Sequence, residues 1–306
     1  MINFPARTAI SILLTAAAMT AAVPALADPA AQENPPSWGL DRVDQRGLAA
    51  DHSYHYDTTA DTVTAYVIDT GVDAKQPEFE GRVEPGQNFV DGTTDTSDGN
   101  GDGTHLASIL GGRDFGVAKK VHIVPVKVLD DGGNGNLVNI IAGIGWVTQN
   151  AKQPAVAVLG IGGPGNVQLD NAVKALAAVM PVAVPAGWSA ADVSTVSPAR
   201  VPDVLTVGAT DIHDAIAPKS NFGAGVDLFA PGVDVPTANG SASGASMAAA
   251  FVAGAAALYR AQHPDANPAQ VSQALVGDAT TNALTGVPDG TPNRLLYTLD
   301  TPPGTD

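Results

Sequence analysis

The chain has 306 residues, enough for one large domain with a sizeable buried core. Its 15 basic and 31 acidic residues leave a net charge of -16, without the concentrated Lys and Arg that phosphate binding requires, and this excludes a nucleic-acid partner. There is no Cys, which excludes disulfides, thiol chemistry and Cys-ligated zinc, while 33 Gly and 23 Pro predict many tight turns between compact apolar elements.

At the N-terminus Arg7 precedes an apolar run over residues 9–23, followed by Pro24 and by Ala25, Leu26 and Ala27, a small-x-small cleavage site. The run is shorter than the ~20 residues that span a bilayer. Residues 1–27 therefore read as a secretory signal peptide, and cleavage after Ala27 leaves a secreted, extracellular chain with no membrane attachment and no self-cleaved propeptide. Residues 28–36 read as a short polar spacer, 37–300 as one folded domain and 301–306 as a tail. A secreted domain without disulfides needs another brace, such as a bound metal.

Apolar, β-branched runs at 62–68, 121–129, 155–161, 182–184 and 204–207 predict buried strands of a mostly parallel sheet. Helical segments at 104–110, 137–149 and 169–178 lie between them, and this alternation predicts a doubly wound α/β fold. Functional residues of such a sheet gather where its strands end. Asp69 sits at such an end. A Gly-rich loop, Asp98-Gly-Asn-Gly-Asp-Gly103, runs into a helix starting near Thr104, and Ser246 opens a long apolar helix that reaches about Tyr259, near free backbone N–H groups. A strand-end Asp, a loop-to-helix junction and a helix-start Ser form the scaffold of a nucleophile site. The Asp-rich stretch 91–102 lacks EF-hand spacing and reads as a solvated loop.

At these residues the sequence resembles the subtilase family, in particular its proteinase K branch. The resemblance is carried, in the family's order, by Trp38-Gly-Leu-Asp-Arg, Tyr66-Val-Ile-Asp-Thr-Gly-Val, Pro77-Glu-Phe-Glu-Gly-Arg, Gly103-Thr-His, Phe115-Gly-Val-Ala-Lys-Lys, Val126-Lys-Val-Leu-Asp-Asp, Ser197-Pro-Ala, Thr206-Val-Gly-Ala-Thr-Asp and Ser243-Gly-Ala-Ser-Met-Ala. It implies a subtilisin-like fold with Asp69 as triad Asp and Ser246 as nucleophile. The family's triad His is the first His of Gly-His-Gly-Thr-His, where this chain reads Gly101-Asp-Gly-Thr-His, so Asp102 takes its place. His105 matches the second His and reads as a packed helix residue. The oxyanion Asn of an Ala-Ala-Gly-Asn segment is matched by Trp188 of Pro185-Ala-Gly-Trp, and the loop before Ser243 is shorter than usual.

By the same resemblance an extended peptide lies between Gly133-Asn134-Gly135 and Gly160-Ile161-Gly162, where Gly admits close backbone approach. Trp188 either lies across that groove or offers it an aromatic face. A structural Ca²⁺ is implied on the carbonyls of Pro202 and Val204 and the carboxylate of Asp227, the oxygen ligands this ion prefers. Asp69 and Asp102 are expected to face each other, and like charges in close quarters raise the pKa of one of them. Three functions follow: a secreted pseudoprotease that binds peptides or another protein, an acid-acting serine-carboxyl peptidase using Ser246 with Asp69 and Asp102, and an ordinary serine endopeptidase with a compensating base among His52, His55, His122, His213 and His263. The sequence does not specify an oligomeric state.

Overall fold

The computed structural model describes residues 1–2 and 30–299; the expected signal peptide, apart from its first two residues, and the tail lie outside the described residues. Among those residues nine strands form the central sheet, in the order Thr280–Thr281, Arg294–Leu295, Leu228–Pro231, Leu205–Thr210, Val182–Pro185, Ala155–Leu159, Thr64–Asp69, His122–Lys127, Gln87–Asn88. All neighbours run parallel except the first pair, as the buried β-branched runs predict. The helices in chain order are α1 (Trp38–Val43), α2 (Asp102–Gly111), α3 (Leu137–Asn150), α4 (Val167–Ala177), α5 (Ala245–Gln262) and α6 (Pro268–Asp278).

Alternation along the strands sends side chains into two cores. Ala65, Val67, Val156 and Val158 join α2 and α5 on one face, whereas Tyr66, Ile68, Ala157 and Leu159 join α3 and α4 on the other. Helix α5 is apolar nearly all round, and fourteen of its eighteen residues are buried, which makes it an interior helix. Its small residues permit close approach. A Cβ added to Gly254 would stand 2.6 Å from Val117 Cβ and 3.1 Å from the Leu110 carbonyl oxygen at the end of α2.

Two differences from the sequence reading concern boundaries. Residues 30–33, read as spacer, form a strand, Ala30–Glu33, antiparallel to Ser53–Tyr56. The Gln32 side chain holds it down by donating to the Asp114 carbonyl at 3.0 Å and accepting from Lys119 Nζ at 2.6 Å. Helix α2 begins at Asp102 rather than near Thr104, which puts Asp102 in its first turn.

The chain leaves the strand Thr64–Asp69 to build His122–Lys127 on one side and returns to build Ala155–Leu159 on the other. Strand order therefore reverses between Asp69 and Gly160, the place where an open parallel sheet leaves a crevice for ligands. The packing of α5 predicts that Gly254→Val costs about 1–3 kcal/mol by overpacking. By contrast Gly277→Ala, in α6 with open space around the new methyl group, is expected to stabilise by up to about 1 kcal/mol. Urea unfolding midpoints of the two variants check both signs.

Candidate active site

Asp69 ends its strand and is only 1% exposed. Its Oδ1 accepts the Thr70 N–H at 2.6 Å, and its Oδ2 lies against the bare Cα of Gly160, where a Cβ would come within 1.7 Å. No side chain larger than hydrogen fits there. Burial pushes the Asp69 carboxyl up to about 7; the Thr70 N–H opposes the rise, and the charges of Asp102 and Asp98 add to it.

Asp98 fastens this strand end to α2. Its Oδ1 accepts from Thr70 Oγ1 at 2.9 Å, Asn100 N at 3.0 Å and Gly101 N at 2.8 Å, while Oδ2 accepts from Thr104 N at 2.9 Å and Thr104 Oγ1 at 2.6 Å. Burial pushes its carboxyl up, but these bonds outweigh burial and hold it below the usual carboxylate range. The stretch read as a solvated loop thus contains the anchor of the site. Gly103 completes the junction: its N–H donates to Thr70 Oγ1 at 3.0 Å, and a Cβ there would sit 2.0 Å from the Gly71 carbonyl oxygen.

Asp102 is exposed, whereas Asp69 is sealed in, so the two carboxylates do not meet as equals. They interact through charge. His105, read as a packed helix residue, is half-buried with Nδ1 2.7 Å from Thr237 Oγ1 on the hairpin Val235–Thr237/Gly240–Ala242, the segment just before Ser243. Burial lowers its pKa, against the raising influence of Asp102 and Asp98.

Ser246, the second residue of α5, is half-exposed, and among the described residues no hydrogen bond engages its Oγ. It shares a cavity of about 650 Å³ with Gly160, Ile161, Gly162, Trp188 and Val196. No histidine lines it. Trp188 therefore forms part of a wall beside an open space, packing its inner side on the core. The turn presenting it is held by buried Asn221, whose Nδ2 donates to the Ala186 carbonyl at 2.9 Å while Oδ1 accepts from Ser189 and Ala191 N–H groups at 3.0 Å each. No sequence motif marked Asn221 or Asp98 for these positions.

Gly133, Asn134 and Gly135 do not line this cavity. They curl on Asp130, which accepts the Asn134 N–H at 2.8 Å, and Asn100 Nδ2 ties the turn to the Asp98 loop through the Asp131 carbonyl at 3.2 Å. Pro202, Val204 and Asp227 meet elsewhere, in a cavity of about 880 Å³ between α4 and α6. Asp227 Oδ2 accepts the Thr206 N–H at 2.7 Å, and burial pushes its carboxyl up to about 6. Asp227 is half-buried, and a carboxylate oxygen is a ligand type that a hard cation accepts.

The sequence model described as "Subtilase family" matches residues 61–295. The chain belongs to the subtilase family. It is 45% identical over 276 residues to an extracellular serine proteinase of Thermus sp. strain Rt41A, covering 88% of this chain and 67% of that protein. It is also 45% identical over 268 residues to alkaline serine exoprotease A of Vibrio alginolyticus, covering 86% of this chain but only 50% of that protein. A crystal structure of a cold adapted subtilisin-like serine proteinase superposes with a TM-score of 0.85 at 44% identity, over 86% of this chain and 98% of that one. The subtilisin-like α/β fold expected from the sequence is thereby established. Among the described residues no helix is long and apolar enough to cross a membrane.

The buried acid at the centre of this subtilase has a measurable consequence. With a folded pKa raised to about 7 and an unfolded value of about 3.9, Asp69 makes the native state hold more protons than the unfolded chain. Its contribution is fully present below about pH 4 and is lost as pH rises towards 7. Urea unfolding from pH 4 to 7.5 is expected to show Asp69→Asn gaining steadily on wild type. A constant difference would contradict the assignment.

Proposed function

We propose that this chain is a secreted subtilase whose peptidase activity is lost or very weak and whose groove binds peptides or an extended segment of another protein. The carrying observation is the setting of Ser246: it stands at its helix start beside an open cavity, and among the described residues no hydrogen bond engages its Oγ and no histidine lines the cavity wall. A subtilase His takes the Ser proton and returns it to the leaving amine, while Asp orients the imidazole. Asp102 occupies the place of that His, and a carboxylate is a weak base at neutral pH. Trp188 occupies the place of the oxyanion Asn, and its indole offers no amide to the tetrahedral oxygen.

In subtilisin, a better-known member of the family, loss of the His costs on the order of 10⁶ in kcat, and loss of one oxyanion donor on the order of 10²–10³. Members of one catalytic unit are not additive, but loss of the His by itself leaves little turnover. Peptide binding needs neither group. It uses backbone at Gly160–Gly162 and the apolar wall of Ile161, Val196 and Trp188, all of which remain beside Ser246.

The reading extends to a structural Ca²⁺ on the carbonyls of Pro202 and Val204 with Asp227, where the ion would neutralise a carboxylate that burial disfavours. Such a ligand stabilises in proportion to RT ln(1 + [L]/Kd). Melting curves are expected to rise with Ca²⁺ over chelator in wild type and not in Asp227→Ala; an unchanged wild-type midpoint removes calcium from the account. The names of the extracellular relatives and the apolar run at 9–23 support secretion.

Restoring the unit tests the main reading. Asp102→His with Trp188→Asn is expected to hydrolyse an apolar peptide anilide at neutral pH at least about 100-fold faster than wild type, with each single change far behind. Activity should vanish when Ser246→Ala is added. Wild type already active at neutral pH, with loss in Ser246→Ala, would overturn the reading; activity confined to acidic pH would favour a serine-carboxyl mechanism instead.

A further inference from the structure

One wall of the cavity beside Ser246 is loose by its own sequence. Residues 160–166 read Gly-Ile-Gly-Gly-Pro-Gly-Asn, four glycines in seven, and open space surrounds Gly162 and Gly163 where side chains would stand. The wall continues into Thr195 and Val196, because the short strand Gly163–Pro164 pairs antiparallel with Val196–Ser197. That ladder is slight. Pro164 has no N–H to give it, and one further bond, from Gly165 N–H to the Thr195 carbonyl at 2.9 Å, extends it.

Behind the wall a polar network gathers both strands on one carboxylate. Ser197, fully buried, accepts the Asn166 N–H at 2.7 Å and donates to Asp170 Oδ1 at 2.5 Å. Asp170 stands in the first turn of α4, and its Oδ2 accepts from Arg200 Nε at 2.8 Å and lies 2.6 Å from Arg200 Nη2. The guanidinium in turn rests on the bare Cα of Gly165, where a Cβ would come within 2.3 Å of Nη1. Asn166, Asp170, Ser197 and Arg200 all lie outside the lining of the cavity.

We propose that Asp170 is the positioning residue of the groove: through Ser197 and Arg200 it fixes the Gly160–Pro164 strap and so sets which apolar side chain the cavity beside Ser246 admits. The inference rests on the peptide-binding reading above. Glycine loses more conformational freedom on ordering than any other residue, so the strap keeps one position only if bonds from outside hold it. Charge-assisted bonds such as those on Asp170 are the strongest available for this. The cavity, of about 650 Å³, is lined by Ile161, Val196 and Trp188 and by no charged residue, so the side chain it selects is uncharged and apolar.

The test uses acetylated, amidated Ala hexapeptides with a single Phe moved through the six positions, and the all-Ala peptide as reference, with binding followed by calorimetry. Phe at one position is expected to bind wild type about tenfold tighter than the reference, and in Asp170→Ala this ratio is expected to fall to about twofold. A ratio of two affinities does not depend on the fraction of folded protein, so a merely structural role would leave it unchanged. Adding Arg200→Ala to Asp170→Ala should lower it no further, because the two groups act as one unit. If Asp170→Ala does not fold, Asp170→Asn, which keeps an acceptor for Ser197 but loses the charge facing Arg200, is expected to give an intermediate ratio. A wild-type ratio in either folded variant would overturn this inference and leave the groove reading standing, and so would failure of both variants to fold, which would make Asp170 structural. Failure of wild type to bind any of the peptides would overturn both.

Discussion

The site depends on a single clamp: the half-buried Asp98 carboxylate joins the end of the strand carrying Asp69 to the beginning of α2 through bonds from Thr70, Asn100, Gly101 and Thr104. The clamp uses backbone N–H groups and two hydroxyls, none of which takes part in proton transfer. With Gly103 packed on the Gly71 carbonyl, it sets where residue 102 projects whatever that residue is. The chemistry of the position can therefore change while its geometry stays fixed.

The second constraint is α5. Because it is buried along nearly its whole length between the sheet and α2, the place of its N-terminus, and so of Ser246, follows from core packing rather than from partners at the hydroxyl. Asp102 and Trp188 sit differently, one exposed and the other half-buried on the rim of a cavity. Substitutions at exposed positions perturb stability little. On the proposed reading, this is how a subtilase would hold Asp69 and Ser246 in place without the groups that activate them.

Much of this was legible in the sequence. The β-branched runs located the central strands, and the segments around Asp69, Gly103 and Ser246 carried the resemblance to the family that the chain belongs to. What escaped were contacts between distant segments. Asp98 lies in an Asp-rich stretch whose composition resembles solvated loop, and only the folded chain brings Thr70 to it. Asn221 holds the Trp188 turn from thirty-odd residues away with no motif of its own. The strand Ala30–Glu33 is polar and short, and its order comes from the partner Ser53–Tyr56 and from Lys119. Local pattern predicts elements; it does not predict which polar groups those elements will bury together.

The central claim is that Ser246 is correctly held but not activated, and the most direct measurement is labelling of the native wild-type protein by a fluorophosphonate at neutral pH, which requires an activated serine. The account predicts no adduct on Ser246 by mass spectrometry under conditions that fully label an active subtilase. Rapid stoichiometric labelling of Ser246, abolished in Ser246→Ala, would contradict it.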